Sequence, residues 1–195
     1  MKTAHIYKES FEALFKIAES QQGLFTAKQA IEAGFDERNH PFHVAQGNWV
    51  REWRGIYRLK NFPHSDEWEL VLWYLWSRNK EGIFQGVYSY ETALSIYGLT
   101  NLMPMKLHMT VPKTFRRHSK IPKVLLLYHE NLSQVDIRRM RGFCVTTPIR
   151  TIQDLMQRGT PEEVITQAVS QALNLGLMTR EDYKKLAPLK GNSNE

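Results

Sequence analysis

NWVREWRGIYRLKNFP, residues 48–63, is the stretch whose reading decides how the first part of the chain folds. Trp49, Arg51 and Trp53 fall on one parity, Val50 and Glu52 on the other. Beyond Gly55, Ile56 and Arg58 alternate with Tyr57 and Leu59. A period of two is the signature of a strand, and glycine permits the tight turn near Arg54–Gly55, so the stretch predicts a β-hairpin. A hairpin this short is marginal in water by itself and needs a scaffold. It is also basic, carrying Arg51, Arg54, Arg58 and Lys60.

The scaffold is sought upstream. Phe11, Leu14, Phe15 and Ala18 share a helical face, which predicts a helix over about 8–20. In GLFTAKQAIEAGF, residues 23–35, Thr26 is an N-cap with Gln29 in the capping-box position, and Gly34 ends a helix of about two turns. The segment 36–47 offers Asp36 as a cap for a third helix, but Pro41 costs a backbone hydrogen bond inside a helix. Two versions stay open: a helix over 36–47 with a distorted first turn, or one that begins at about 40. Helix, short helix, glycine turn, helix and hairpin is the order of a winged helix-turn-helix. Trp49, Trp53 or Tyr57 would then cover the three-helix core, leaving Arg51, Arg54 and Arg58 free for solvent or phosphate. Arg38, Asn39, His40, His43 and Gln46 are the polar residues of the third helix, and Arg38, Asn39 and Gln46 have the chemistry for base edges. A protein-docking module has the same element order, and the net charge of +2 over the first sixty residues is weak for DNA.

The remainder reads as strands mixed with helices. SDEWELVLWYLWSRN, residues 65–79, predicts a helix capped by Ser65 or Asp66, with Trp68, Leu72, Leu75 and Trp76 on its buried face. Ser89 caps a short helix that Gly98 stops. KLHMTVP (106–112) alternates as a half-buried strand, whereas KVLLLYH (123–129) is nearly continuous apolar, as in a strand covered on both faces. Between them lies a basic arm over 113–123 with Lys113, Arg116, Arg117, Lys120 and Lys123. A strand at 143–146 leads to a helix with Thr147 as N-cap and Pro148 at its first position. Thr160 and Pro161 repeat that device, Gly176 stops the helix, a last short helix follows, and KGNSNE is expected to fray. The fold class is therefore α+β: an N-terminal winged helix-turn-helix domain over 1–62, then a mixed α/β C-terminal domain over 63–190.

Composition narrows the function. The net charge of +6 and a pI near 9.4 favour an anionic partner, and residues 106–150 carry +8 of net charge. The longest apolar run, ELVLWYLW, is too short for a membrane span, and no leader pattern opens the sequence, which points to a cytoplasmic protein. Cys144 is the single cysteine, so an internal disulfide and a cysteine-rich zinc site are excluded, and a buried thiol is the simple reading. His40 and His43 are three apart, but no acid or cysteine completes a metal set. Arg150 and Asp154, four apart on one helix face, most simply form a surface or structural ion pair. No glycine-rich phosphate loop or nucleophile elbow is present, so no catalytic residue, metal or cofactor is assigned.

Several segments resemble one family. GLFTAKQAIEAGF and VREWRGIYRL are similar to the amino-terminal winged domain of AbiEi-type antitoxins of bacterial type IV toxin–antitoxin systems. YSYETALSIYGLT, KLHMTVPK, VTTPIRTIQDLM with Arg150 and Thr151, and QALNLGLMTREDYKKL resemble its later segments in order, from Gly23 to Leu186 with gaps. The resemblance implies a non-enzymatic, DNA-binding autorepressor. Its partners would be double-stranded DNA at inverted repeats in its own promoter and a cognate nucleotidyltransferase-like toxin. It assigns base reading to 36–47 and backbone contact to Lys28, Arg51, Arg54 and Arg58, with the 113–123 arm as a second basic surface. Pro41, Asp36 and Glu37 depart from what an unbroken, phosphate-facing recognition helix needs.

Overall fold

The computed structural model describes residues 2–101, 103–117 and 119–186, and the KGNSNE tail lies outside them. Among these residues the chain is a mixture of eight α-helices and two β-sheets, divided into two compact units. The first unit runs to Gln85 and includes Arg139–Phe143; the second comprises Gly86–Arg138 and the chain from Cys144 onward. The first unit thus extends past residue 62 and takes in the tryptophan-rich helix.

In the first unit, α1 (Lys2–Glu19) precedes β1 (Leu24–Thr26), α2 (Ala27–Glu32), a 3-10 turn (Glu37–Asn39) and α3 (His40–Ala45). The hairpin β2 (Trp49–Trp53) and β3 (Ile56–Leu59) follows, then α4 (Trp68–Trp76). The capping box forms as its sequence demands: Thr26 accepts from the Gln29 amide, and the Gln29 side chain accepts from the Thr26 amide. Pro41 sits in the first turn of α3, where its missing N–H costs nothing, and the preceding residues form a 3-10 turn capped by Asp36. This selects the later of the two possible starts and leaves α3 six residues long. Ser65 and Asp66 do not cap α4, which begins at Trp68 after Glu67.

The hairpin is supported along one edge, that of β3, and β2 is an edge strand. β3 is the middle strand, pairing antiparallel with β2 and with β1, an element too short to leave a periodic signal. Trp49 is buried with Phe25, Phe35, Leu14 and Leu59 in one core, its ring edge-on to Phe25 at 4.9 Å and to Phe35 at 5.1 Å. Truncating such a buried indole costs about 3–5 kcal/mol. The parity of the stretch does not persist. A bulge between Arg51 and Trp53 shifts the register beyond Arg51, and Arg51 and Trp53 are both exposed although they share Trp49's parity. Trp53 leaves the three-helix core and packs edge-on against Trp73 of α4 at 5.0 Å.

The second unit contains β4 (Val87–Tyr88), α5 (Tyr90–Ile96), β5 (Leu107–Val111), β6 (Leu125–His129), β7 (Ile137–Arg139), β8 (Cys144–Thr146) and the helices α6 (Pro148–Gln157), α7 (Glu162–Asn174) and α8 (Arg180–Leu186). The sheet order is β6-β5-β4-β8-β7. β6 is therefore an edge strand and half exposed, and the interior place falls to β5, buried from His108 to Val111. The expectations for these two strands are reversed. Apolar content could not reveal that β6 is paired on one edge only, with β5. Thr147 caps α6 by accepting from the Arg150 amide, with Pro148 at its first position. Thr160 makes no such cap, because Pro161 stands at the cap position of α7. Cys144 is half-buried rather than buried.

Candidate nucleic-acid interface

The polar side chains of the α3 region divide by burial. Arg38 and Asn39 lie exposed on the 3-10 turn, and Gln46 lies exposed at the C-cap of α3. Their positions follow from the local chain. Asp36 accepts from the Arg38 amide at 2.9 Å, which fixes the turn, and the same carboxylate grips the Arg38 guanidinium at 2.7 Å. That guanidinium and amide hold the Asp36 carboxyl down at about 2, so Arg38 carries a counter-ion at every physiological pH. His43 is not a surface residue. It is 7% exposed and stacks on Trp49 at 4.6 Å, while His40 is 2% exposed and 5.2 Å from the same ring. The reason is periodicity: in a six-residue helix starting at His40, residues 40 and 43 lie one turn apart on the face turned to the core. Nε2 of His40 and Nδ1 of His43 are buried and find no hydrogen-bond partner among the described residues. Burial pushes both imidazoles below their usual value.

The hairpin residues divide as well. Arg51 and Arg54 are exposed, as expected. Arg58 is not free for phosphate: it is 8% exposed, its Nε pairs with Glu52 Oε1 at 2.7 Å, and one Nη donates to the carbonyls of Leu59, Lys60 and Phe62 at 3.4 Å each. Glu52 is equally enclosed, with 16% of its side chain exposed. Val50 pairs with Arg58 across the hairpin, so Glu52, two residues beyond Val50, lies within reach of Arg58, a cross-strand contact that the parity of a single strand does not reveal.

The turn gathers further cations. Gly55 has φ of +68°, and a Cβ there would come within 2.9 Å of an Arg78 nitrogen. Arg78 donates to the Gly55 carbonyl at 3.2 Å and to that of Leu75 at 2.9 Å, joining the hairpin tip to the end of α4. The Ala27 amide bonds to the same Gly55 carbonyl at 3.0 Å, so Lys28 of α2 begins beside this turn, where its Nζ donates to the Glu81 carbonyl. Lys28, Arg54 and Arg78 thus belong to one neighbourhood. Arg78 has no periodic or motif signal in the sequence, and only the tertiary contact reveals it.

In the second unit the basic arm begins after β5. Lys113, Arg116, Lys120 and Lys123 are exposed. Arg117 is half-buried, with its guanidinium pushed down by burial, beside Phe115, which is 4% exposed. Arg116 is held by the carbonyls of Lys113 and Phe115 at 2.9 Å. Arg150 forms a knot with three carboxylates: Asp154 at 2.6 Å, Asp136 at 3.2 Å, and Glu130. The four-apart pair is therefore part of a larger structural cluster. Burial pushes the Asp154 carboxyl up to about 6 despite the adjacent Arg150. Among the described residues no three of His, Cys, Asp and Glu gather as a metal site, and no helix is long and apolar enough to cross a membrane.

No protein-family model matches the chain, and no curated protein matches it in sequence. Among solved structures it is similar to the RV2827C protein from Mycobacterium tuberculosis, with 12% identity and a TM-score of 0.50 over 90% of this chain and 69% of that one. At that identity the likeness concerns the fold alone.

Proposed function

We propose that the first unit is a winged helix-turn-helix that binds double-stranded DNA, and that the protein is a non-enzymatic antitoxin and autorepressor paired with a nucleotidyltransferase-like toxin. The observation that carries the DNA reading is the exposure of Arg38, Asn39 and Gln46 around α3, beside a hairpin that keeps Arg51 and Arg54 in solvent. Asn39 and Gln46 supply bidentate base chemistry, while Arg51, Arg54 and Lys28 supply phosphate contacts. Arg58 and His43 drop out of the contact set, because both are buried. The antitoxin assignment and the toxin partner rest on the order of the family-like segments. In a gel-shift assay the protein shifts its own upstream region with steeply salt-dependent affinity. Equal affinity for random duplex at every salt concentration overturns sequence-specific repression.

One observation favours a second reading, in which the first unit docks a protein. Phe42, 58% exposed on α3, and Trp53, 40% exposed at the hairpin, put apolar surface where a DNA reader presents polar groups. Absence of any DNA shift, with loss of toxin neutralisation on Phe42→Ser substitution, selects that reading.

A further inference from the structure

On the first unit, a half-open groove of about 380 Å³ runs between α1 and the exit of the hairpin. Tyr7, Phe11 and Phe15 of α1 line it together with Phe62 and Trp49, the Phe62 ring lying 6.3 Å from that of Phe15. The three α1 rings stand four residues apart, and each is between 40% and 48% exposed, far more than a packed helix face leaves in water. Among the residues that line the groove, Lys60 is the one charged side chain, and no carboxylate accompanies it. Its position is built. Gly47, with φ of +71°, closes the end of α3, and a Cβ there would meet Lys60 Nζ at 3.0 Å, so the ammonium folds over bare glycine backbone at the groove's edge. Asn48 and Asn61 supply the remaining polar groups.

We propose that this groove binds a small planar aromatic carboxylate, its ring against the α1 aromatics and its carboxylate on Lys60 Nζ. The volume lies at the low end of ligand pockets and suits a bicyclic ring rather than a peptide. Aromatic walls favour stacking on a flat ligand, and a single unpaired ammonium among them selects an anion and repels a cation. Gly47 and Asn48 also form the turn that ends α3, through Gly47 N–H to Val44 O and Asn48 N–H to His43 O, both 3.0 Å. Occupancy therefore acts on the segment assigned to DNA; that regulatory step rests on the DNA-binding reading, whereas the site does not.

Calorimetry of the full chain with 2-naphthoate, in the absence of DNA, tests the site alone. The expected result is saturable binding of one naphthoate per chain, about tenfold weaker for the neutral 2-naphthamide. Lys60→Gln should lower naphthoate affinity by about the same factor and leave the amide unchanged, Lys60→Arg should retain binding, and Phe11→Ala should weaken both ligands. Equal binding of acid and amide, or an unaffected Lys60→Gln variant, overturns the proposal. So does a naphthoate-insensitive dimer that Phe11→Glu dissociates, since the groove is then closed by a second copy.

Discussion

Arg51 and Arg58 occupy the same hairpin, and the fold uses them in opposite ways. Arg58 neutralises an enclosed Glu52 and satisfies three carbonyls, whereas Arg51 stands in solvent. Removing one member of an enclosed ion pair strands the other, so Arg58→Ala should destabilise the first unit by about 3 kcal/mol. Arg51→Ala and Arg54→Ala should each change stability by no more than about 0.5 kcal/mol. Urea denaturation of the three variants separates them, and an Arg58 variant as stable as the Arg51 variant contradicts the structural role. The two buried imidazoles make a second residue-scale prediction. Their folded values lie below the ordinary 6.5, with Asp36 and Glu37 only partly offsetting burial at His40. The unfolded chain therefore binds the protons first. Stability should be full above about pH 6.5 and fall as the pH drops below it. His43→Phe should flatten that acid limb in melts recorded across the range; an unchanged limb removes the histidines as its cause.

At the scale of the element, α3 and the hairpin should fail differently. Arg51→Ala with Arg54→Ala should weaken DNA binding about equally for cognate and random duplex and flatten the salt dependence, because phosphate contacts carry no sequence information. Asn39→Ala or Gln46→Ala should instead cost roughly 1–3 kcal/mol of preference for the cognate site. Cognate and random competitors in one titration distinguish these outcomes, and a uniform loss for all variants removes base reading from α3. This division was partly legible beforehand. The Thr26–Gln29 capping box, the hairpin turn at Gly55 and the Thr147–Pro148 helix start are set by neighbours in sequence, and all three form as read. What escaped was set by partners distant in the chain or by a shift in register. The bulge shifts the register beyond Arg51, β1 is visible only through its pairing with β3, and His43 faces inward because α3 begins at residue 40. Arg78 reaches the turn from α4, across more than twenty residues, and no local pattern marks it.

Over the whole molecule the positive charge is concentrated between residues 106 and 150, but its cations are not equally available. Arg150 is consumed by Glu130, Asp136 and Asp154, and Arg138 lies over the Tyr97 ring at 5.9 Å. Arg117 is half-buried. The field that reaches solvent from the arm therefore comes from Lys113, Arg116, Lys120 and Lys123. Under the proposed DNA-binding reading, these four exposed cations in one loop are candidate phosphate contacts. Each phosphate contact contributes roughly 0.9 to the slope of log affinity against log salt, so a fourfold alanine variant should flatten that slope by at most about 3–4 and weaken binding most at low salt. The substitutions avoid Arg117 and Phe115, which keeps the buried anchor of the arm in place, and circular dichroism should match the parent protein. Should a folded variant of this kind retain the full salt slope while toxin neutralisation falls, the arm faces the toxin, and its contribution to DNA binding is refuted.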